Sequence, residues 1–363
     1  MKRSFVHRSL GLLSLGVALA ALAAGDNKSG FRDVLDTPAQ QSALAPRAPL
    51  SGLAQAGERI VAAGQRGHIL WTDDAGAHWQ QAQVPVSSDL LALSFPTPQQ
   101  GWAVGHDGVI LASSDAGKTW TRQLDGRQLG AQMVAFYEKR LAESPKEAEQ
   151  RALEAALAEA KRFAAQGAET PLLDVWFADA RQGYAVGAFG LFLQTRDGGQ
   201  HWEPLQHLVE NPKALHLYAV RGIAGSVYAV GEQGLALKLD PASGRFEALN
   251  MPYQGTLFGI NGDAGLLLVH GLRGNALRSI DGGRSWTAVP SGLQVGLTAS
   301  ARAADGSWLL ASQSGHVLAS RDQAQSFQPL KLERMMPASA LIGAGPRGLV
   351  MVGPRGAQAI PLP

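Results

Sequence analysis

Short apolar runs alternate with glycine-rich turns along this chain, and long amphipathic stretches are rare. Trp102-Ala103-Val104 and Val109-Ile110-Leu111 flank Gly105–Gly108, a strand–turn–strand signal. The same apolar-Gly-x-x-Gly-apolar signature recurs at Gly64–Gly67, Gly187–Gly190, Gly231–Gly234, Gly271–Gly274 and Gly353–Gly356, with Ser312–Gly315 as a variant. Another apolar run precedes each, as at Leu90–Phe95, Leu172–Phe177, Leu215–Val220 and Leu257–Ile260. About ten residues after most of these turns stands a second signature, Ser/Thr-x-Asp-x-Gly-x-x-Trp. It is clearest at Thr72-Asp74-Gly76-Trp79, Ser113-Asp115-Gly117-Trp120, Thr195-Asp197-Gly199-Trp202 and Ser279-Asp281-Gly283-Trp286. Ser320-Asp322-Ala324-Phe327 is a weakened copy, and the one around Asp240, Gly244 and Phe246 carries an extra residue.

Successive box aspartates lie 41, 82, 43, 41 and 41 residues apart. A period near 41 residues predicts tandem supersecondary units. Each unit reads as four antiparallel strands, A to D, with Gly-x-x-Gly at the B–C turn and the Asp box at the C–D turn. Such units are the blades of a β-propeller. The seven turn signatures predict an all-β, seven-bladed propeller of four-stranded blades. The last unit runs out at Ile360-Pro361-Leu362-Pro363, so its fourth strand is expected from the N-terminal segment Phe31–Pro38, which resembles the other D strands.

The 82-residue gap holds one departure, Asp125 to about Thr170. Met133–Leu141 and the Ala/Glu/Lys/Arg-rich run up to Gly167 predict a helical hairpin between blades 2 and 3. Ser144 and Glu147 have capping-box spacing, Pro145 suits a first helical position, Glu147–Arg151 is an i,i+4 pair, and Gly167 suits the stop. The hairpin's apolar residues, Phe136, Tyr137, Leu141, Leu153 and Leu157, are expected to pack it together or to cap the propeller.

Residues 1–24 read as a secretory signal peptide: Lys2, Arg3 and Arg8 precede an apolar stretch ending in small residues. Residues 25–363 are then the propeller, with the helical insertion at 125–170. The sequence contains no Cys, which excludes disulfides, thiol chemistry and lipid attachment at a cleavage-site Cys. Losing the three basic residues of the leader takes the formal charge from +2 to −1, which argues against nucleic acid as a partner.

The box aspartates Asp74, Asp115, Asp197, Asp240, Asp281 and Asp322 suit a structural role, each carboxylate accepting backbone N–H bonds inside its turn. A glycosidase needs two carboxyls facing a cleft. Asp174 and Glu232 are candidates without an evident partner. Metal spacing, a Gly-x-Ser-x-Gly elbow and a phosphate-binding loop are absent from the sequence, so no cofactor or metal is expected.

In a propeller the B–C turns and D–A loops share one face. The third residue of each Gly-x-x-Gly turn, from blade 1 to blade 7, is Arg66, Asp107, Phe189, Gln233, Arg273, Ser314 and Arg355. Three arginines thus fall on blades 5, 7 and 1, and His68, Asn275, His316 and Arg334 join the same arc. Arginines at fixed turns can bind carboxylate or phosphate in bidentate fashion. Solvated turn residues, or arginines paired with neighbouring acids, are the alternative.

The run from Gly101 to Trp120 resembles one repeat of the photosystem II assembly and stability factor family, seven-bladed propellers of the BNR type. The resemblance covers nearly all of the chain after the leader, and is closest in kind to bacterial members outside photosynthesis. It implies an exported, non-catalytic scaffold, with no cofactor, that assists a membrane protein complex, a transporter-associated one being a variant. In photosynthetic members an arginine-rich patch is associated with binding the reaction-centre precursor, and Arg66, Arg273 and Arg355 fit such a patch. The chain departs from the family in its helical insertion. A monomer in the periplasm, or otherwise exported, is expected. The competing readings are a secreted glycosidase or sugar-binding propeller, and a small ligand in the central channel.

Overall fold

A computed structural model describes residues 32–345 and 348–362. The expected signal peptide lies outside the described residues. From Asp33 onward the chain forms one unit. It contains six four-stranded antiparallel sheets and a seventh with three strands. Blade 1 runs Leu50–Ala56, Arg59–Gly64, Ile69–Thr72 and Gln80–Gln81, consecutive strands pairing throughout. The inner A strands of the other blades are Leu90–Ser94, Leu172–Phe177, Leu217–Ile223, Leu257–Asp263, Leu297–Arg302 and Ala340–Gly343. Each A strand lies beside those of the two neighbouring blades, so the sheets form a ring.

Apolar side chains on both faces of each sheet fill the space between blades, which is why the B strands are buried along their whole length in blades 2 and 3. In every blade but the sixth, where Ser312 stands, the residue that ends strand B is glycine, for lack of space. A Cβ at Gly105 would lie 2.1 Å from the Asp89 carbonyl oxygen. The second glycine of the turn has a different reason, φ of +61° at Gly108, a region open to glycine.

The expected N-terminal closing strand is not found in the seventh blade, which has three strands among the described residues: Ala340–Gly343, Gly348–Gly353 and Gly356–Pro361. Val34–Asp36 is instead a 3-10 turn capped by Asp33, whose carboxylate accepts the Leu35 N–H at 2.8 Å. Leu35 is buried against Ile69, Val84 and Val86, at the border of blades 1 and 2. The Asp36 carboxylate is held by Arg127 at 2.8 Å, which drops its pKa to about 2. These anchors hold the segment whose resemblance to the other D strands suggested a closing strand; Phe31 lies outside the described residues. The ring is sealed by side chains. Leu50, Ala62 and Leu70 of blade 1 pack on Val352, and Ile60 packs on Val350 and Ala344.

The insertion is a hairpin of α1 (Gly126–Ala142) and α2 (Glu147–Gln166). Asp125 caps α1 through the Arg127 N–H at 3.0 Å, and Gly167, with φ of +78°, ends α2. The expected capping box does not form. Ser144 takes a left-handed conformation (φ 56°) to reverse the chain, so α2 begins at Glu147 and Pro145 precedes it. Glu147 and Arg151 do pair, and Arg140 and Glu149 bridge the two helices at 2.6 Å. The hairpin leaves the ring beside the blade 2 turn but packs between blades 2 and 3. Leu129, Met133, Tyr137, Leu153 and Phe163 join Leu172, Leu193 and Trp202 in one core.

Candidate functional site

Two sets of turns border the ring, and their polar groups are used differently. In the box of blade 2, Ser113 donates to the Asp115 carboxylate at 2.9 Å and accepts the Gly117 N–H at 3.0 Å. Asp115 also accepts from the Thr119 N–H and hydroxyl, while the Trp120 indole donates to the Gly117 carbonyl at 3.0 Å. Blades 1, 3, 5 and 6 repeat the pattern around Asp74, Asp197, Asp281 and Asp322. In the irregular copy Lys238 occupies the hydroxyl position, and Asp240 takes its bonds from Ala242 and Ser243 instead. The hydrogen bonds hold all six carboxyls below the usual range. At Asp197 burial pushes upward, but the bonds from His201 and Thr195 outweigh it and leave the pKa at about 2. These carboxylates are consumed by their own turns.

The Gly-x-x-Gly turns pack against the D–A loops, Gly67 on Val86, Gly274 on Leu293, Gly315 on Met336 and Gly356 on Pro46, so turns and loops share one face. Arg66 and Arg273 sit there in left-handed conformations (φ 56° each) with their side chains exposed. Arg334 and Arg355 are exposed in the neighbouring loop and turn. Among the described residues none of these four guanidiniums has a carboxylate within salt-bridge reach. Asp89 approaches Arg66 only at its backbone N–H, 2.8 Å away. The other three positions of the arc are spent internally. His68 is buried, which lowers its pKa; Asn275 donates to the Leu272 carbonyl at 2.8 Å; and His316 sits 3.2 Å from the Ser312 hydroxyl. The opposite part of this face carries Asp107 in blade 2 and Glu232 in blade 4.

The A strands enclose a central cavity of about 730 Å³. Asp174, buried in its wall, accepts the Val220 N–H at 2.8 Å and pairs with Arg221. Burial pushes its pKa up, and Arg221 opposes that. Glu232 stands outside the cavity lining and accepts the His216 N–H at 2.9 Å. The two acids therefore do not form a pair across a cleft. His270 is clamped between the Leu297 carbonyl and the Ser300 hydroxyl, and burial lowers its pKa to about 4. Among the described residues there is no cluster of three metal-ligating side chains.

One feature was missed in the sequence. In blades 1 to 6 the A–B pairing slips by one residue at the same place, leaving Ser51, Leu91, Leu173, Tyr218, Phe258 and Thr298 bulged. All six line the cavity. A signal existed: each follows a leucine and, except in blade 3, precedes Gly or Ala, as in Leu257-Phe258-Gly259. In blade 5 the space is taken: a Cβ at Gly259 would lie 2.5 Å from the His270 ring.

A family model described as photosynthesis system II assembly factor YCF48 matches residues 55–140 and 155–329. The chain belongs to this family. The unmatched stretch within it falls in the helical hairpin. The photosystem II assembly lipoprotein Ycf48 of Nostoc sp. (strain PCC 7120) is 33% identical over 84 residues, 22% of this chain and 24% of that protein. The protein of the same name from Synechococcus sp. (strain CC9902) is 36% identical over 55 residues, 14% and 16% of the two chains. The matched segment thus spans less than a quarter of either relative. Among solved structures, YCF48 bound to D1 peptide superposes with a TM-score of 0.62 at 16% identity, covering 87% of this chain and 94% of that one. YCF48 from Cyanidioschyzon merolae gives 0.61 at 17%, covering 87% and 96%. The WD40 propeller domain of Doa1 fits as well, 0.61 at 7% over 90% and 95%, so the superpositions speak for the fold alone.

Proposed function

We propose that this YCF48-family propeller is an exported, non-catalytic scaffold that binds a membrane protein and assists assembly or stability of its complex. The observation that carries the reading is the set of exposed guanidiniums of Arg66, Arg273 and Arg355 on blades 1, 5 and 7, with Arg334 in the loop before blade 7, which have no carboxylate partner among the described residues. Arginine presented on a fixed turn recognises carboxylate in planar, two-bond geometry, so an acidic segment of the partner is the expected ligand. The solved structure of YCF48 bound to D1 peptide supports a peptide as the ligand of this face. Export is supported by the basic-then-apolar N-terminal sequence and by relatives named as lipoproteins. A glycosidase is disfavoured, because Asp174 is committed to Arg221 and Glu232 lies elsewhere.

The test is crosslinking in cells followed by identification of captured proteins. Recovery of a membrane protein, reduced at least tenfold by Arg66→Ala with Arg355→Ala, is expected. Recovery of none, or capture unchanged by the double substitution, overturns the reading.

A further inference from the structure

The six bulged side chains form a collar at the end of the cavity nearest the arginine face, because they follow the first residue of each A strand, just after the D–A loops. A bulge re-aims the extra residue out of the pleat. All six are partly exposed, while the leucine before each is buried, Leu217 and Leu257 at 0%. The collar has two sides. Blades 2 to 5 contribute Leu91, Leu173, Tyr218 and Phe258; blades 6 and 1 contribute Thr298, whose hydroxyl donates to the Ala338 carbonyl at 2.6 Å, and Ser51.

An aromatic path leads from the apolar side to the rim. Phe258 meets Tyr218 edge-on at 5.8 Å, Tyr218 lies 6.4 Å from His216, and His216 meets Phe189 edge-on at 4.8 Å. Phe189 is 57% exposed and left-handed (φ 55°), an unusual conformation for a bulky residue, at the position where blades 1 and 5 carry arginine. Its ring touches His216 along one edge and otherwise stands in solvent. The path meets the arginine arc on blade 5, where Leu257 pairs with Gly271, two residues before Arg273.

We propose that the collar is a second recognition site on the docking face, one that takes a single large apolar side chain of an extended polypeptide segment whose flanking carboxylates lie on the arginines. The proposal rests on the reading of the face as a docking surface. The charge of the adjoining arc selects a segment with acidic residues. The cavity beyond the collar selects a side chain over a lipid tail, since Arg221, Asn261 and Ser300 line its wall and would meet a longer hydrocarbon with polar groups.

The test is fluorescence anisotropy on the chain lacking its leader, with three labelled peptides: one Phe between two runs of three Glu, the same with Ala for Phe, and the same with Gln for every Glu. The Phe peptide binds at least tenfold more tightly than the Ala peptide. Tyr218→Ser and Phe258→Ser, each checked for an unchanged melting transition, erase that preference and leave affinity for the Ala peptide as it was. Phe189→Asn, at the exposed rim, weakens the Phe peptide alone. Equal binding of the Phe and Ala peptides, or a preference that survives in all three variants, overturns the collar. If the Gln peptide binds as well as the Glu peptide, the arginine reading fails separately; if none of the three binds, both fail.

Discussion

On the face of the C–D turns, Asp74, Asp115, Asp197, Asp281 and Asp322 are each held by groups no more than four residues away. On the face of the B–C turns, the guanidiniums of Arg66, Arg273 and Arg355 meet no carboxylate among the described residues. Both faces repeat with the period of the blades. On the first the residue type is constant and its polar atoms are satisfied within the turn; on the second, blades 1 to 5 share one left-handed turn backbone while the residue there varies between Arg, Asp, Phe and Gln, and blades 6 and 7 carry Ser and Arg at the same place. A repeated residue whose hydrogen bonds close locally is a folding device. A variable residue on a repeated turn is free to meet something else.

The comparison breaks most easily in acid. Each box carboxyl holds its proton less tightly folded than unfolded, so its contribution to stability is complete above the ordinary carboxylate pKa. That contribution drains as pH falls through the folded values, near 2 for Asp197. Urea unfolding followed between pH 5 and pH 2 should show a steep loss of stability. Next in size is Trp120→Ala, which empties the buried site beneath one box and should lower unfolding free energy by about 3–5 kcal/mol. Asp115→Ala removes the bonds of a single turn and should cost about 1–2 kcal/mol in the same measurement. On the other face the signs change. Phe189→Gly relieves a left-handed aromatic and should raise stability by up to about 1 kcal/mol, while weakening any partner that uses the collar. Arg66→Ala with Arg355→Ala should leave stability within about 0.5 kcal/mol of wild type, by thermal or urea unfolding, and still abolish capture. A large destabilisation by that pair would mean that the arginines, like the aspartates, serve the fold.

The helical hairpin is a third kind of region. Its amphipathic pattern located it, but its role came from packing: Tyr137 is fully buried and donates to the Gln206 side chain at 2.8 Å, so the hairpin extends the core between blades 2 and 3.

The amino-acid sequence determined the repeat, the number of blades, the boxes and the place of the insertion. All of these arise from contacts within a few residues or from a period that composition cannot hide. Only the tertiary structure decided three things. Residues 33–37 went to Arg127 and the blade 1–2 border, where an ion pair and a buried leucine, both set by residues distant in the sequence, hold them. His68 left the arginine arc, because a side chain's exposure depends on the loop that crosses it. The collar appeared because a bulge is a mismatch between two strands, and neither strand alone carries the register that creates it.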